Sequence, residues 1–421
     1  MKNSFFLKAV VAATLVSCGA LAQAESLDSA MQAALAFNPQ IRSAQASRDA
    51  SQARVTQAQG ARLPHIEATG GVGYNHYNAP GVAPMTLYRP SNAGVSLSLP
   101  LYTGGKLKAE LAAAESGVRA ADLKAEDSQQ TVLFNAGMAF LKVARTQELL
   151  TLAQGQQDLL AKELVQAQAE LKAGTRTRTD VAQAQSRLAG AQAAVQQAQA
   201  DADDARTQFR SVTGRDPEGD LVMPEPSGYP GKAEFVRTVL DHNPRLAAAA
   251  VQIDVAREHY QAARAERLPT VTLQAGINRD QDSNPFLMKE TNRTIGIQVR
   301  IPLYEGGMTL GKEAETSAQV AQSEADRDDQ HDNLTADAEA AFNDYASTAA
   351  QMTALDQQVS AAQTALEGAR KELRVGTRTL LDVLNAEQEL LDARVSRVNA
   401  MFQQTGDGLR MKALAGNLAA S

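Results

Sequence analysis

The stretch Pro100-Leu101-Tyr102-Thr103-Gly104-Gly105 returns at a shift of 202 residues (302 − 100) as Pro302-Leu303-Tyr304-Glu305-Gly306-Gly307. Three other short stretches are repeated in the same order at shifts of 205 or 202: Asn38-Pro39 with Asn243-Pro244, Arg62-Leu63-Pro64 with Arg267-Leu268-Pro269, and Gly174-Thr175-Arg176-Thr177 with Gly376-Thr377-Arg378-Thr379. Four matches in one order at nearly one shift indicate that the chain is an internal duplication.

The duplication sets the predicted domain organisation. A signal peptide is predicted at residues 1–24, and a first structural repeat of helix, hairpin and long helix pair at 25–213. An inter-repeat linker rich in Gly, Pro and acidic residues is predicted at 214–232. The second structural repeat is predicted at 233–421.

The N-terminus has the composition of a secretory signal, and it offers two processing sites. Two lysines precede a short apolar run, which is followed by the small-residue site Ala22-Gln23-Ala24. Cleavage after Ala24 leaves a chain without cysteine. The alternative is a lipoprotein box at Leu15-Val16-Ser17-Cys18, which would make Cys18 a lipidated N-terminus.

Each repeat is predicted to contain the same elements. A helix over Ser26–Ala61 or Lys232–Glu266 ends just before Leu-Pro, because the residue before proline disfavours helix. Two alternating strands follow, with exposed loops predicted at Asn78–Asn92 and Arg279–Asn292. A helical pattern of about 65 residues then starts after each Gly-Gly, which at 1.5 Å per residue is roughly 100 Å long.

The long helices carry an apolar seam with seven-residue spacing, which indicates coiled-coil packing. The seam residues near the end of the long helix and in the returning helix are Leu160, Leu164, Ala167, Leu171, Val181, Leu188 and Val195 in the first repeat, and Val359, Ala362, Leu366, Ala369, Leu373, Leu384, Leu391, Val395, Val398 and Phe402 in the second. The sequence therefore predicts a mainly α chain with a small β part.

Four strands per chain leave two bare sheet edges. Residues 25–421 contain no run of 18 apolar residues, so a membrane crossing is expected to use strands. Exposed edges are forbidden in lipid, so several chains would have to share one barrel, and three chains give twelve strands. The alternative is a soluble four-stranded cap on a helical rod.

Composition narrows the class of function. The formal net charge is −7, which does not favour nucleic-acid binding. The five histidines are scattered without metal-ligand spacing, and phosphate-loop and nucleophile-elbow motifs are missing. We therefore expect no enzyme activity, no cofactor and no metal site.

The motif Leu99–Gly105 after a strand, together with Val375–Leu384 at a helical turn, resembles the TolC-like outer membrane efflux protein family in both copies. The resemblance implies a homotrimer in the outer membrane of a Gram-negative bacterium, in contact with outer-membrane lipid. Its twelve strands would form one β-barrel, and its long antiparallel helices an α-helical periplasmic tunnel. It also implies a passive exit duct that docks to a periplasmic adaptor and an inner-membrane transporter, either ABC-type or proton-driven. The Val-Gly-Thr-Arg-Thr form is closest to the type I secretion branch.

The resemblance places a gate at the two helical turns. Thr179, Asp180 and Arg378 match an ionic network that holds the tunnel shut, and Arg176 is the counterpart of Arg378. Asp382 matches an acidic ring that binds cations, and the second ring position is Asn385.

A structural interpretation competes at each of these turns. Thr177-x-x-Asp180 and Thr379-x-x-Asp382 are also capping patterns for a restarting helix. Gly174 and Gly376 are expected to end helices. The residues expected to turn each strand into a helix are Pro100, Gly104, Gly105, Pro302, Gly306 and Gly307.

A soluble periplasmic coiled-coil adaptor or scaffold is the alternative function. An adaptor is expected to carry one helical hairpin between β-rich halves, whereas this sequence predicts two equivalent hairpins. The duplication therefore favours the exit duct.

Overall fold

The computed structural model describes residues 25–79, 83–219, 221–224, 231–284 and 287–419. The predicted signal peptide, with Cys18, lies outside the described residues. The elements of the first copy are β1 Glu25–Ser26, α1 Leu27–Phe37, α2 Pro39–Gly60, β2 His65–Val72, β3 Asn75–Ala79, β4 Ala83–Tyr88, β5 Ser91–Tyr102, α3 Lys106–Lys172 and α4 Arg178–Thr213. They are followed by β6 Leu221–Val222, α5 Lys232–His242, α6 Pro244–Ala265, β7 Thr270–Asn284, β8 Leu287–Arg300, α7 Met308–Arg374 and α8 Leu380–Leu414.

The first helix of each copy is two helices, which corrects the prediction of one continuous helix. Asn38 and Asn243 each end one helix in an extended conformation and cap the next. Asn38 Oδ1 accepts from the backbone N–H of Gln40, and Asn243 Oδ1 accepts from that of Arg245. The proline that follows has no N–H to continue the first helix but fits the first turn of the second.

The predicted long helices are confirmed. Helices α3 and α7 each have 67 residues and start directly after Gly105 and Gly307. Near the sheet, neighbouring helices follow the order α2, α3, α6, α7. Beyond α2 and α6, the order becomes α4, α3, α8, α7, so α3 and α8 join the two helical hairpins.

The two predicted strand pairs form one four-stranded sheet in the order β2-β5-β7-β8, with every pair antiparallel. The central pair joins the copies, with Val95 opposite Ile277. The prediction of loops was wrong for residues 83–88, which form β4, and for most of residues 279–292, where β7 and β8 continue to Asn284 and from Leu287. Residues 278–284 and 289–292 are all polar, so alternation of apolar and polar residues could not reveal these strand ends.

Many of the buried side chains are alanines, interspersed with a few large ones such as Phe140, Phe209 and Phe235. Near the middle of α3, α1 and α8 pack against Gly137. A Cβ added there would lie 2.9 Å from Leu409 Cδ1 and 3.1 Å from Met31 Cε, so a larger residue would have to displace the ends of these two side chains. Among the described residues, no helix is both long and apolar enough to cross a membrane.

Candidate functional site at the helical turns

Both helical turns are built in the same way. Gly174 and Gly376 each have a φ of 81°, the left-handed conformation that glycine adopts without strain. The backbone N–H of Thr175 donates to Glu170 O at 3.0 Å, and that of Thr377 donates to Glu372 O at 3.0 Å. These bonds satisfy carbonyl groups at the helix ends, so the glycines act as helix stops, as predicted.

Each returning helix starts with a capping box. The Asp180 carboxylate accepts from the backbone N–H and hydroxyl of Thr177, and Thr177 Oγ1 accepts from the N–H of Asp180. Thr379 and Asp382 make the same bonds. Hydrogen bonds from these threonines lower the pKa of both aspartates. Capping is thus confirmed for Asp180 and Asp382, and Thr179 lies exposed in the first turn of α4.

The arginines of the turns bind the helix that precedes them. Arg176 Nε donates to Glu170 Oε2 at 2.6 Å, and Arg378 Nε donates to Glu372 Oε2 at 2.6 Å. The bond to Arg176 lowers the pKa of Glu170. Arg378 is therefore bound to its own turn and not to Asp180 in this structure, and the gate role of Thr179, Asp180 and Arg378 stays a prediction.

The two glutamates were missed by sequence reasoning, although the duplication carried the signal. Glu170 stands six residues before Arg176, and Glu372 six residues before Arg378, in matching positions of the two copies. A repeated acid–arginine spacing across a predicted turn indicates a local ion pair.

The predicted cation ring is not assembled in one chain. Asn385, the second ring position, accepts a hydrogen bond from Arg187 Nη2 of α4 at 3.0 Å. In the part of the chain that the structure describes, no three His, Cys, Asp or Glu residues are grouped as metal ligands.

The two turns differ in what surrounds them. The Arg176 side chain is 15% exposed and lies in a groove lined by residues of the second copy, including Arg370, Leu373 and Leu380. The Arg378 side chain is 49% exposed. The arginine of the first turn is therefore covered by the second copy, whereas the arginine of the second turn is exposed.

The two strand-to-helix junctions also differ in how closely the rest of the chain surrounds them. Gly104 and Gly306 have left-handed φ values of 65° and 62°. A Cβ on Gly104 would lie 2.6 Å from Leu268 Cβ and 2.8 Å from Ala265 O, whereas a Cβ on Gly306 would meet nothing within 4 Å. The remaining residues predicted to build the junctions are placed where strand becomes helix: Pro100, Gly105, Pro302 and Gly307.

The first junction also carries an ion pair to the second copy. Lys106 Nζ donates to Glu266 Oε1 at 2.7 Å. The matching pair at the second junction would be Met308 with Ala61, and Met308 is 69% exposed. Leu303 and Tyr304 beside it are almost fully exposed. The second junction therefore presents exposed apolar side chains where the first junction contacts the second copy.

The family model for outer membrane efflux proteins matches residues 30–215 and 235–417. The outer membrane protein TolC of Vibrio cholerae is 28% identical, over 97% of this chain and 94% of that protein. The proteases secretion protein PrtF of Dickeya chrysanthemi is 27% identical, over 98% and 92%. The crystal structure of the outer membrane protein VceC from Vibrio cholerae has the same fold, with a TM-score of 0.81 at 20% identity, over 93% of this chain and 96% of that one.

Proposed function

The chain belongs to the outer membrane efflux protein family, and we propose that three copies of it close into one duct that exports cargo through the outer membrane. The chain is an outer-membrane component for efflux or type I secretion, with its helices extending into the periplasm. The prediction that it is not an enzyme is confirmed by this membership.

The trimer is supported mainly by the solvent exposure of the second junction and of Arg378 in the second copy. Gly104 of the first junction and Arg176 of the first turn are covered by the second copy, whereas Gly306 and Arg378 at the matching places of the second copy are exposed. Large exposed apolar patches on a chain indicate an interaction surface. A neighbouring chain could present its first copy to this surface and repeat the contact already made inside one chain.

The sheet supports the same arrangement and fixes a register. Strands β2 and β8 are the outer strands of the sheet. Inside the chain, Val95 of β5 pairs with Ile277 of β7. The equivalent of Val95 in the second copy is Ile297 (95 + 202), and the equivalent of Ile277 in the first copy is Val72 (277 − 205). We infer that β8 of one chain pairs antiparallel with β2 of the next, with Ile297 opposite Val72.

Closure of the ring accounts for the number of chains. A contact between the second copy of one chain and the first copy of the next forms a closed ring only if the rotation between neighbouring chains returns to the first chain. Three chains supply twelve strands, which is more than the about eight strands that side chains alone can fill. The closed sheet would therefore surround a channel that continues between the helices.

The alternation on β8 assigns a lipid face and a channel face. Ile295, Ile297 and Val299 are exposed on one side, and Thr294 and Gln298 lie on the other. The apolar side suits lipid, and the polar side suits a water-filled channel.

We propose that the helical turns receive cargo from partners. An outer-membrane duct holds no energy source, so an inner-membrane transporter has to drive export. A periplasmic adaptor would hold the two together at the turns. The secretion protein among the relatives favours a protein cargo and the type I secretion branch.

Planar-bilayer recording and membrane fractionation test the duct. The purified protein is expected to conduct ions in discrete steps and to remain in salt-washed outer membranes. An Ile297→Arg variant places a charge on the lipid face, at a cost of about 2–4 kcal/mol, and is expected to reduce the membrane-inserted amount. The neighbouring Gln298→Arg variant is the control, because its charge enters the channel and alters ion selectivity without loss of insertion. Recovery of the wild-type protein in the soluble fraction, with no conductance, would favour the scaffold.

A further inference from the structure

Two largely buried glutamates and one half-buried arginine meet at the apolar contact that joins the two helical hairpins. Glu163 is on α3, Arg370 on α7 and Glu387 on α8. The side chains of Glu387 and Glu163 are 1% and 15% exposed. The hydrophobic residues buried around this contact are Leu160, Ala167, Leu380, Val383, Leu384 and Leu390. A glutamate in such a seam costs stability unless its charge is compensated.

One arginine compensates only one of the two carboxylates. Arg370 Nη2 donates to Glu387 Oε1 at 2.6 Å and lies 3.9 Å from Glu163 Oε1. Among the described residues, the Oε2 atoms of Glu163 and Glu387 are buried without a hydrogen-bond partner. Two ionised carboxylates beside one guanidinium would leave a net negative charge in this interior.

Protonation of one of the two carboxylates removes this net negative charge. Burial raises the pKa of Glu163 to about 8, with further increases from the hydrogen bond to Glu387 and from its negative charge, while Arg370 opposes the shift. Near neutral pH Glu163 therefore holds a proton, which it can donate to Glu387. The group then carries no net charge: one guanidinium, one carboxylate and one neutral carboxyl.

The other charged groups around this position are already paired or reach solvent. On α3, Glu170 is bound to Arg176 of the turn. Lys162 of α3 and Arg374 of α7 line the same groove with exposed side chains. On α4, Arg187 donates to Asn385. Among the described residues, Glu163 and Glu387 are therefore left with Arg370, whose side chain is 42% exposed, as the counter-charge within reach.

We propose that Glu163 and Glu387 share one proton and form a pH-sensitive tie between the two helical hairpins of a chain. Loss of the proton leaves two buried carboxylates in mutual repulsion and separates α3 from α8. The tie lies about three helical turns from the end of α3, so its release loosens the hairpins close to their turns. It goes beyond the proposed duct, because it acts within one chain whatever that chain conducts.

The direction of the pH effect follows from the two pKa values of Glu163. The packed state holds the proton up to about pH 8, whereas a solvent-exposed glutamate releases it near 4.5. Packing of the hairpins is therefore strongest below pH 4.5 and weakens as the pH rises to about 8. Above that value both states are deprotonated, and the tie contributes no further pH dependence.

The tie is specific to the contact within a chain. At the shift of 202 residues, Glu163 corresponds to Ala365, while Arg370 and Glu387 correspond to Gln168 and Gln185. None of these residues ionises. The matching contact between chains in the proposed ring would therefore hold no such group and would not respond to pH in this way.

Pulsed electron paramagnetic resonance on the full chain tests the tie. Spin labels are attached to cysteines introduced at the exposed positions Ala169 of α3 and Glu389 of α8, and labelled chains are diluted with unlabelled chains. In the wild-type background, the distance distribution is expected to lengthen between about pH 5 and about pH 9. In Glu163→Gln, which keeps the hydrogen bond but cannot lose a proton, it is expected to stay short.

Two controls complete the experiment. Glu148→Gln, on the exposed side of α3, is expected to behave as the wild type. If Glu163→Gln does not fold, Glu387→Gln replaces it: Glu163 then loses the repulsion of Glu387 and keeps Arg370, its pKa falls, and the distance change is expected to move to lower pH than in the wild type. Infrared difference spectra are expected to show a protonated carboxyl at neutral pH that is missing in Glu163→Gln. A wild-type distance that does not change with pH, or an equal change in these variants, would overturn the proposal.

Discussion

Gly104 and Gly306 occupy the same place in the two copies of this chain and share a left-handed backbone, yet their surroundings are opposite. Gly104 is enclosed by Leu268 and Ala265 of the second copy, and Gly306 faces open space. The two turns repeat this contrast, since Arg176 is covered and Arg378 is exposed. The contact is made within the chain at the first copy, and in the proposed ring its counterpart is made between chains at the second copy.

The largest difference is expected at the two junction glycines. Gly104→Ala strains a left-handed backbone and also forces a Cβ against Leu268 and a backbone oxygen, at a cost of about 2–4 kcal/mol. Gly306→Ala strains the backbone alone, at about 1–2 kcal/mol in the single chain. Thermal unfolding of the two variants measures the difference.

Assembly provides the second readout for these glycines. Leu63 is the first-copy equivalent of Leu268, which covers Gly104. If Leu63 of a neighbouring chain covers Gly306 in the same way, Gly306→Ala should weaken oligomers more than it weakens the isolated chain. Size-exclusion chromatography with light scattering at several protein concentrations measures this. Equal stability losses, with no change in oligomer size, would remove the contrast between the junctions.

A smaller difference is expected at the two turns. If Arg378 makes the proposed gate contact in the closed duct, Arg378→Ser is expected to raise single-channel conductance about twofold, because an exposed ion pair worth about 0.5 kcal/mol in the closed state alone shifts the closed population by that factor. Arg176→Ser, covered by the second copy, should lower thermal stability and alter conductance less. Planar-bilayer recording of both variants measures this, and unchanged conductance in Arg378→Ser would count against an ionic lock.

No difference is expected at the two helix caps. Thr177→Ala and Thr379→Ala each remove one capping box and should each cost about 1 kcal/mol. Both aspartates have a lowered pKa, so their stabilisation is complete at neutral pH and is lost as the pH falls below about 4, their ordinary range. Denaturant unfolding between acid and neutral pH measures both effects. A cap in one copy that matters several-fold more than the other would show that the turns are not equivalent.

Local signals in the sequence predicted the long helices, their turns and their caps, because glycine, proline and Thr-x-x-Asp act on neighbouring backbone. They did not predict where the helix before each strand pair breaks, although Asn38 and Asn243 carry that signal. The group of Glu163, Arg370 and Glu387 could not be found in this way. Its members come from three helices, and their proximity depends on how the hairpins pack.

Disulfide crosslinking across the proposed strand pair tests the account most directly. The chain with Val72→Cys and Ile297→Cys contains two exposed thiols on outer strands, and paired residues on adjacent strands lie about 4.5–5.5 Å apart, within disulfide reach. Mild oxidation in outer membranes is expected to give a ladder of dimer and trimer that ends at the trimer. The control pair Ile66→Cys and Ile297→Cys shares the same face but is six residues out of register, and it should remain monomeric. Absence of crosslinks in the first pair, or equal crosslinking in both, would contradict the head-to-tail ring.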